Sequence, residues 1–186
     1  MRLEPLQLAH HEALCAVGLD PELWRWTLTM VRSADDLRRY IAKALAEQEA
    51  GRSLPFAIVD RASGAAIGST RYANIERAHR RLEIGWTWLG TAYQRTGANT
   101  ECKYLLLTHA FERLGCQRVE LKTDARNAKS RAAILRIGAT EEGTFRKHGI
   151  AVGGRVRDTT WYSIIDDEWP RVKAGFRDLG SGTPDP

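Results

Sequence analysis

The stretch Leu89-Gly90-Thr91-Ala92-Tyr93-Gln94-Arg95-Thr96-Gly97-Ala98-Asn99-Thr100 is the part of the chain best suited to bind a ligand. It joins the end of an apolar strand to the start of a long helix. The first N–H groups of a helix have no intrahelical partner, and the helix dipole adds partial positive charge there. A pyrophosphate fits such a position. Gly97 has no Cβ to hold phosphates away from the backbone, and Arg95 adds a cation. A single glycine ahead of a helix also describes a plain turn and cap. No Gly-Lys-Ser/Thr follows, so this is not a nucleotide-triphosphate loop, and the glycine spacing is not that of a dinucleotide-binding fingerprint.

The elements around this loop follow from periodicity. Leu3–Leu8 reads as a strand and His10–Val17 as a short helix, broken by Gly18-Leu19-Asp20-Pro21. Ser33 with Asp36 three residues on forms a capping-box pattern. Leu37, Ile41, Ala44 and Leu45 then repeat at helical spacing up to Gly51. Strands are predicted over Leu54–Val59, Ala66–Ile75 and Leu82–Leu89, the first two joined by the turn Arg61-Ala62-Ser63-Gly64. A helix from Thr100 to Leu114 has Cys102, Leu105, Leu106, Ala110 and Leu114 on one face. Arg118–Thr123 is a strand, Asn127 caps a helix from Ala128 to Ile137, and Gly138 closes it. Ala139–Phe145 and Val156–Ile165 complete the strands, and a last helix starts near Asp167. The order indicates an α+β, or mixed α/β, single domain on one mostly antiparallel sheet flanked by helices. It is predicted to span residues 1–179, ahead of a short polar tail at 180–186.

Several segments resemble the GNAT acetyltransferases. Gln94-Arg95-Thr96-Gly97-Ala98 resembles the family's Gln/Arg-x-x-Gly-x-Gly/Ala loop. Ile84-Gly85-Trp86-Thr87-Trp88-Leu89 is similar to the strand before it, and Asn127-Ala128-Lys129-Ser130 to the Asn-x-x-Ser that opens the next helix. Gly138-Ala139-Thr140-Glu141-Glu142-Gly143 and the stretch from Arg157-Asp158 to Tyr162-Ser163 also match, over roughly residues 1–170. The set is typical of the branch with the ribosomal-protein alanine and serine N-acetyltransferases. Asn99 departs from the Gly or Ala of the broad pattern, though its amide can bond a phosphate or cap the helix.

The resemblance implies a splayed sheet with acetyl-CoA as cosubstrate, held by Trp88, Leu89, Gln94, Arg95, Thr96, Gly97, Ala98, Asn99, Thr100, Asn127 and Ser130. It implies direct attack of an amine on the thioester, so Cys102 and Cys116 are read as core residues. A backbone N–H near Leu89 would polarise the thioester oxygen. Ser130 would donate to the leaving thiolate, or simply help cap its helix. Asn127 would hold the pantetheine, or act only as an N-cap. Strand alternation puts Glu83 on one face with Gly85, Thr87 and Leu89. A carboxylate there could take the amine proton, or form an ordinary salt bridge with Arg81 or Arg118. The glutamate base of some ribosomal-protein enzymes is replaced here by Lys147-His148-Gly149. His148 is a substitute base on pKa grounds, or an exposed turn histidine. Trp24 and Trp26 fall where the family covers its acceptor cleft; they either bind an acceptor or pack on the sheet.

These implications lead to an acetyl-CoA-dependent N-acetyltransferase acting on a protein N-terminus or small amine; a non-catalytic acyl-CoA-binding domain is the alternative. A homodimer is common among similar proteins. Composition is that of an ordinary globular chain, 43% hydrophobic and 27% charged. The net charge of +5 is scattered among acids, with no basic stripe interleaved with aromatics, so nucleic acid is not the expected partner. Cys15, Cys102 and Cys116 show no metal-ligand spacing, nor do His10, His11, His79 and His109. No metal is expected. With no apolar run long enough for a membrane and no signal core at the N-terminus, a cytoplasmic, reducing setting is expected.

Overall fold

The computed structural model describes residues 1–179; the tail expected at 180–186 lies outside them. Seven strands form one sheet in the order β1-β2-β3-β4-β5-β7-β6. They are β1 (Arg2–Pro5), β2 (Ser53–Val59), β3 (Ala66–Glu76), β4 (Arg81–Leu89), β5 (Arg118–Asp124), β6 (Thr140–Ile150) and β7 (Val156–Ile165). Helices α1 (His11–Gly18) and α2 (Ala34–Glu49) cover one face. Helices α3 (Ala98–Glu112), α4 (Ala128–Arg136) and α5 (Trp169–Leu179) cover the other. All neighbouring strands are antiparallel except β4 and β5.

Local chemistry sets the helix ends. Ser33 accepts the Asp36 N–H at 3.1 Å and starts α2. The Asp36 carboxylate reaches one residue further back than a capping box would, to the Arg32 N–H. Asn127 accepts the Ser130 N–H at 3.1 Å and starts α4. Gly51 and Gly138, at φ +71° and +90°, stop α2 and α4 in the left-handed conformation that glycine tolerates. On α3, Cys102, Leu106 and Ala110 are buried, as the helical spacing requires, whereas Leu105 is exposed, and Leu114 lies past the end of the helix, also exposed. Leu107 takes the core position beside them. Strand β6 runs on to Ile150, well past the predicted Phe145.

Two features make an opening in the sheet. The parallel pairing of β4 with β5 lasts only from Arg81↔Arg118 to Glu83↔Glu120, and beyond it the strands separate. Strand β4 also bulges. Gly85 faces Arg71 and Trp88 faces Ser69, so Trp86 and Thr87 together oppose one residue of β3. Trp86 takes φ +51° at this point, a left-handed conformation that costs a bulky residue about 1–2 kcal/mol. Packing holds it there. Its ring lies against the Arg71 guanidinium, 5.1 Å from the centroid, and that guanidinium also covers Tyr40.

The bulge corrects the expected face of β4. Leu82 and Ile84 pack on the α3–α5 side, and past the bulge Thr87 and Leu89 join that side. Glu83 shares the opposite side with Gly85 and Trp88, and Trp88 packs among α1 and α2. Glu83 therefore does not share a face with Thr87 and Leu89, because unbroken alternation fails where one residue is inserted.

Candidate functional site

A cavity of about 490 Å³ fills the gap between β4 and β5. It reaches both faces of the sheet: Trp26, Tyr40 and Glu83 line one end, and Asn99, Lys103 and Ile134 the other.

The α3 end is built for an anion. The first backbone hydrogen bond of α3 runs from Glu101 N–H to Gly97 O at 2.9 Å. The amides of Gly97 and Asn99 stand outside that ladder. Arg95 takes φ +59° and turns the chain into the helix, so successive amides converge as in an anion-binding nest. Thr96 fastens the turn: its hydroxyl donates to Tyr93 O at 2.7 Å and accepts the Ala98 N–H at 3.2 Å. Gly97 has an ordinary helical φ of −65°, and a Cβ built on it would meet nothing of the protein within 4 Å. The open space in front of it, rather than backbone freedom, is what distinguishes this glycine. Lys129 comes close enough for Arg95 to lower its proton affinity, after the larger effect of burial, so two cations stand beside the helix start.

The expected cofactor residues divide three ways. Trp88, Leu89, Gln94, Arg95, Asn99, Asn127 and Ser130 line the cavity. Ala98 and Thr100 turn into the core, so only their backbone faces outward. Thr96 and Gly97 lie on the exposed rim. Gln94 is already engaged, donating to Leu89 O at 3.1 Å and accepting from Lys129 Nζ at 2.5 Å. The oxygen of Asn127 is its helix cap, and Ser130 closes that cap with its N–H rather than its hydroxyl. Gly90 N–H donates to Ile67 O on β3 at 2.8 Å. Alternation then turns the N–H and C=O of Leu89 away from β3 and into the gap.

On the opposite face Glu83 is 1% exposed. Its Oε2 accepts from Lys122 Nζ and from the Asn74 amide, each at 2.7 Å. The expected partners Arg81 and Arg118 instead hold Glu120. Asn74 reaches Glu83 from a left-handed position, φ +49°, which its short polar side chain tolerates. Among the described residues, Oε1 of Glu83 receives no hydrogen bond; it borders Gly85, where a Cβ would come within 2.8 Å of it.

Trp24 and Trp26 both border the cavity, in different surroundings. Trp24 is core: it packs with Tyr40 and Trp88 and donates to Gly18 O at 2.8 Å. Trp26 lines the cavity among Arg25, Arg126 and Arg155. His148 is not in a turn; it lies on β6 against Phe145 and Trp161.

Sequence reasoning missed Lys103, Lys122, Asp124 and Arg157. Lys103 is buried on α3, donates to Thr87 Oγ1 at 2.8 Å, and burial lowers its pKa to about 8. Its α3 position between Cys102 and Leu106 was a usable signal, since a lysine on that face is unusual unless paired or functional. Cys15, Cys102 and Cys116 are free thiols, and burial raises the pKa of each, to about 12 for Cys102. No cluster of metal-ligating side chains occurs among the described residues. No helix there is long and apolar enough to cross a membrane.

A splayed sheet with an anion-binding helix start beside the gap is the architecture of an acyl-CoA-dependent acetyltransferase. Residues 1–140 match the family model described as an acetyltransferase (GNAT) domain. The chain belongs to the GNAT acetyltransferase family. It is 36% identical over 110 residues to YdaF of Bacillus subtilis, a protein named as a ribosomal N-acetyltransferase; the match spans 59% of each chain, less than two thirds of that relative. The crystal structure of a GCN5-related N-acetyltransferase from Brucella melitensis is 32% identical, with a TM-score of 0.87 over 95% of this chain and 80% of that one. Mycobacterium smegmatis RimJ, solved with CoA-disulfide, is 24% identical and shares the fold, with a TM-score of 0.81 over 96% of this chain and 88% of that one.

Proposed function

We propose that the protein transfers the acetyl group of acetyl-CoA to a primary amine, by direct attack across the gap between β4 and β5. One observation carries the reading: a single cavity joins an anion-binding helix start on one face of the sheet to a buried carboxylate, Glu83, on the other.

Bound acetyl-CoA supplies the thioester. The residues at the α3 end suit its pyrophosphate: the amides of Gly97 and Asn99 offer donors, Arg95 and Lys129 offer charge, and the space a Cβ would fill at Gly97 is open. Asn127 and Ser130 line the way for the pantetheine arm. The Leu89 N–H, directed into the gap, polarises the thioester oxygen. Oε1 of Glu83 takes the amine proton, directly or through a water, while Lys122 and Asn74 hold the carboxylate in place through Oε2. The C–N bond forms as the C–S bond breaks, and the Ser130 hydroxyl donates to the departing thiolate.

YdaF is named a ribosomal N-acetyltransferase, which supports a protein or peptide amine as one acceptor class, and RimJ, which shares the fold, was solved with CoA-disulfide, which accords with a CoA donor. The test is calorimetric titration with acetyl-CoA, followed by thiol release over a panel of amines and N-terminal peptides. Binding with turnover on an amine upholds the proposal. Binding without turnover on any amine leaves a CoA-binding domain in its place.

A further inference from the structure

At the acceptor end of the cavity stands a guanidinium that the protein does not satisfy. Arg157, on β7, is 7% exposed and lines the cavity. Its Nε is buried without a hydrogen-bond partner, and no hydrogen bond to the guanidinium occurs among the described residues. A buried Nε–H without an acceptor is rare, because an unmet donor keeps its desolvation cost.

The carboxylates nearby are taken. Asp124 is fully buried and approaches Arg157 Nε only to 4.0 Å. Its Oδ2 is held by Arg155 Nη2 at 2.5 Å and its Oδ1 by the Arg126 N–H at 2.9 Å. Glu83 is committed through Oε2 to Lys122 and Asn74. Asp124 and Glu83 are thus taken by Arg155 and Lys122, and the Arg157 guanidinium is left with no carboxylate at hydrogen-bond distance.

We infer that Arg157 is a receptor for a carboxylate carried by the acceptor, so that the acceptor is an amine with an acidic group a few bonds from its nitrogen. This rests on the reading of the site as an amine acetyltransferase. A guanidinium fork binds a carboxylate through two parallel hydrogen bonds. Arg157 and Glu83 line the same cavity, so one small acceptor can put its carboxylate on Arg157 and its amine toward the Glu83 carboxylate. Trp26, among Arg25, Arg126 and Arg155, forms a cationic aromatic rim at the same mouth, which favours an anionic entrant over a polycation. The carboxylate could belong to a free amino acid or to an acidic residue beside a peptide N-terminus.

The test compares glycine, β-alanine and γ-aminobutyrate with their amides, and Ala-Asp-Ala with Ala-Asn-Ala amide, as acceptors for the wild-type protein. An acid preferred over its amide by about tenfold or more in kcat/KM is expected. The arm that shows the preference identifies the source. The preference is expected to vanish in R157Q, to survive in part in R157K, which keeps charge without the fork, and to persist in R61Q, an exposed control on the β2–β3 turn. Equal use of acid and amide by the wild type overturns the proposal, as does a preference that survives R157Q. If no amine is acetylated, the enzymatic reading fails, and the carboxylate site is judged by calorimetry. Titration of the same acids into CoA-loaded protein then gives binding that is lost in R157Q, which upholds the site, or no binding to the wild type, which removes it.

Discussion

Lys103 donates to the hydroxyl of Thr87 at 2.8 Å, and Thr87 shares a second hydrogen bond of 2.8 Å with Thr70, so a buried ammonium on α3 is tied across β4 to β3. The bulge at Trp86 makes this possible, because it brings Thr87 round to the α3 side. Desolvation lowers the Lys103 pKa to about 8, from 10.5, and the charge of Glu83 offsets only part of that.

The sign of the stability effect follows. The folded protein loses the Lys103 proton before the unfolded chain does, so between pH 8 and 10.5 the unfolded state binds more protons and this residue's contribution to stability rises with pH. Below pH 8 the buried charge costs the fold on the order of 3 kcal/mol. K103M is expected to be more stable than wild type at pH 7, with the gap closing by pH 10.5. Denaturant unfolding of both proteins across that range measures it; parallel curves would show that Lys103 is not desolvated.

Replacing Glu83 with Gln removes the proposed proton acceptor while keeping shape and the acceptor for Asn74. Turnover at saturating acetyl-CoA is expected to fall by about 100-fold or more, with the dissociation constant for acetyl-CoA within about twofold of wild type. Wild-type kinetics in this variant would remove Glu83 from the mechanism.

At Gly97 the protein offers no obstacle to a side chain and needs no positive φ. G97V is therefore expected to keep the wild-type melting temperature and to lose at least tenfold in acetyl-CoA affinity, about 1.4 kcal/mol. Calorimetry and thermal unfolding on the same sample separate the two effects. Unchanged affinity would mean that no phosphate passes over this residue.

Gly68 on β3 lies against the bulge, where a Cβ would overlap the backbone carbonyl of Trp88. Backbone cannot move aside as a side-chain tip can, so G68A is expected to cost at least about 1–3 kcal/mol. Chemical denaturation reads that loss. The equivalent change at Gly149, which has open space and no positive φ, serves as the comparison.

What could be read from sequence was mainly local. Ser33, Asn127, Gly51 and Gly138 act within three or four residues of themselves, and the helices begin and end where those residues predicted. The loop before α3 was legible as a turn into a helix for the same reason. The face of β4 was not legible, because alternation assumes one residue per partner and the bulge inserts an extra one at Trp86. Strand β6 was predicted too short because Arg146-Lys147-His148-Gly149 has no apolar alternation; the strand passes through Lys147 at φ +51° with its polar side chains exposed. Glu83, expected as a proton acceptor, does line the cavity, but the salt-bridge partners expected for it were the wrong ones. Register sets Arg81 and Arg118 around Glu120, and Lys122 reaches Glu83 from the neighbouring strand. Arg157 and Asp124 meet only through the pairing of β5 with β7, which no local pattern encodes.

The parallel pairing that ends after Glu83↔Glu120 has a kinetic consequence. A passage open at both faces of a sheet has two doors. The nucleotide-bearing reactant can use the one beside α3 while the second reactant uses the one beside Trp26, and neither must leave before the other arrives. Initial-rate lines measured at several fixed concentrations of one reactant are then expected to intersect, as they do when both reactants occupy the protein together, rather than run parallel.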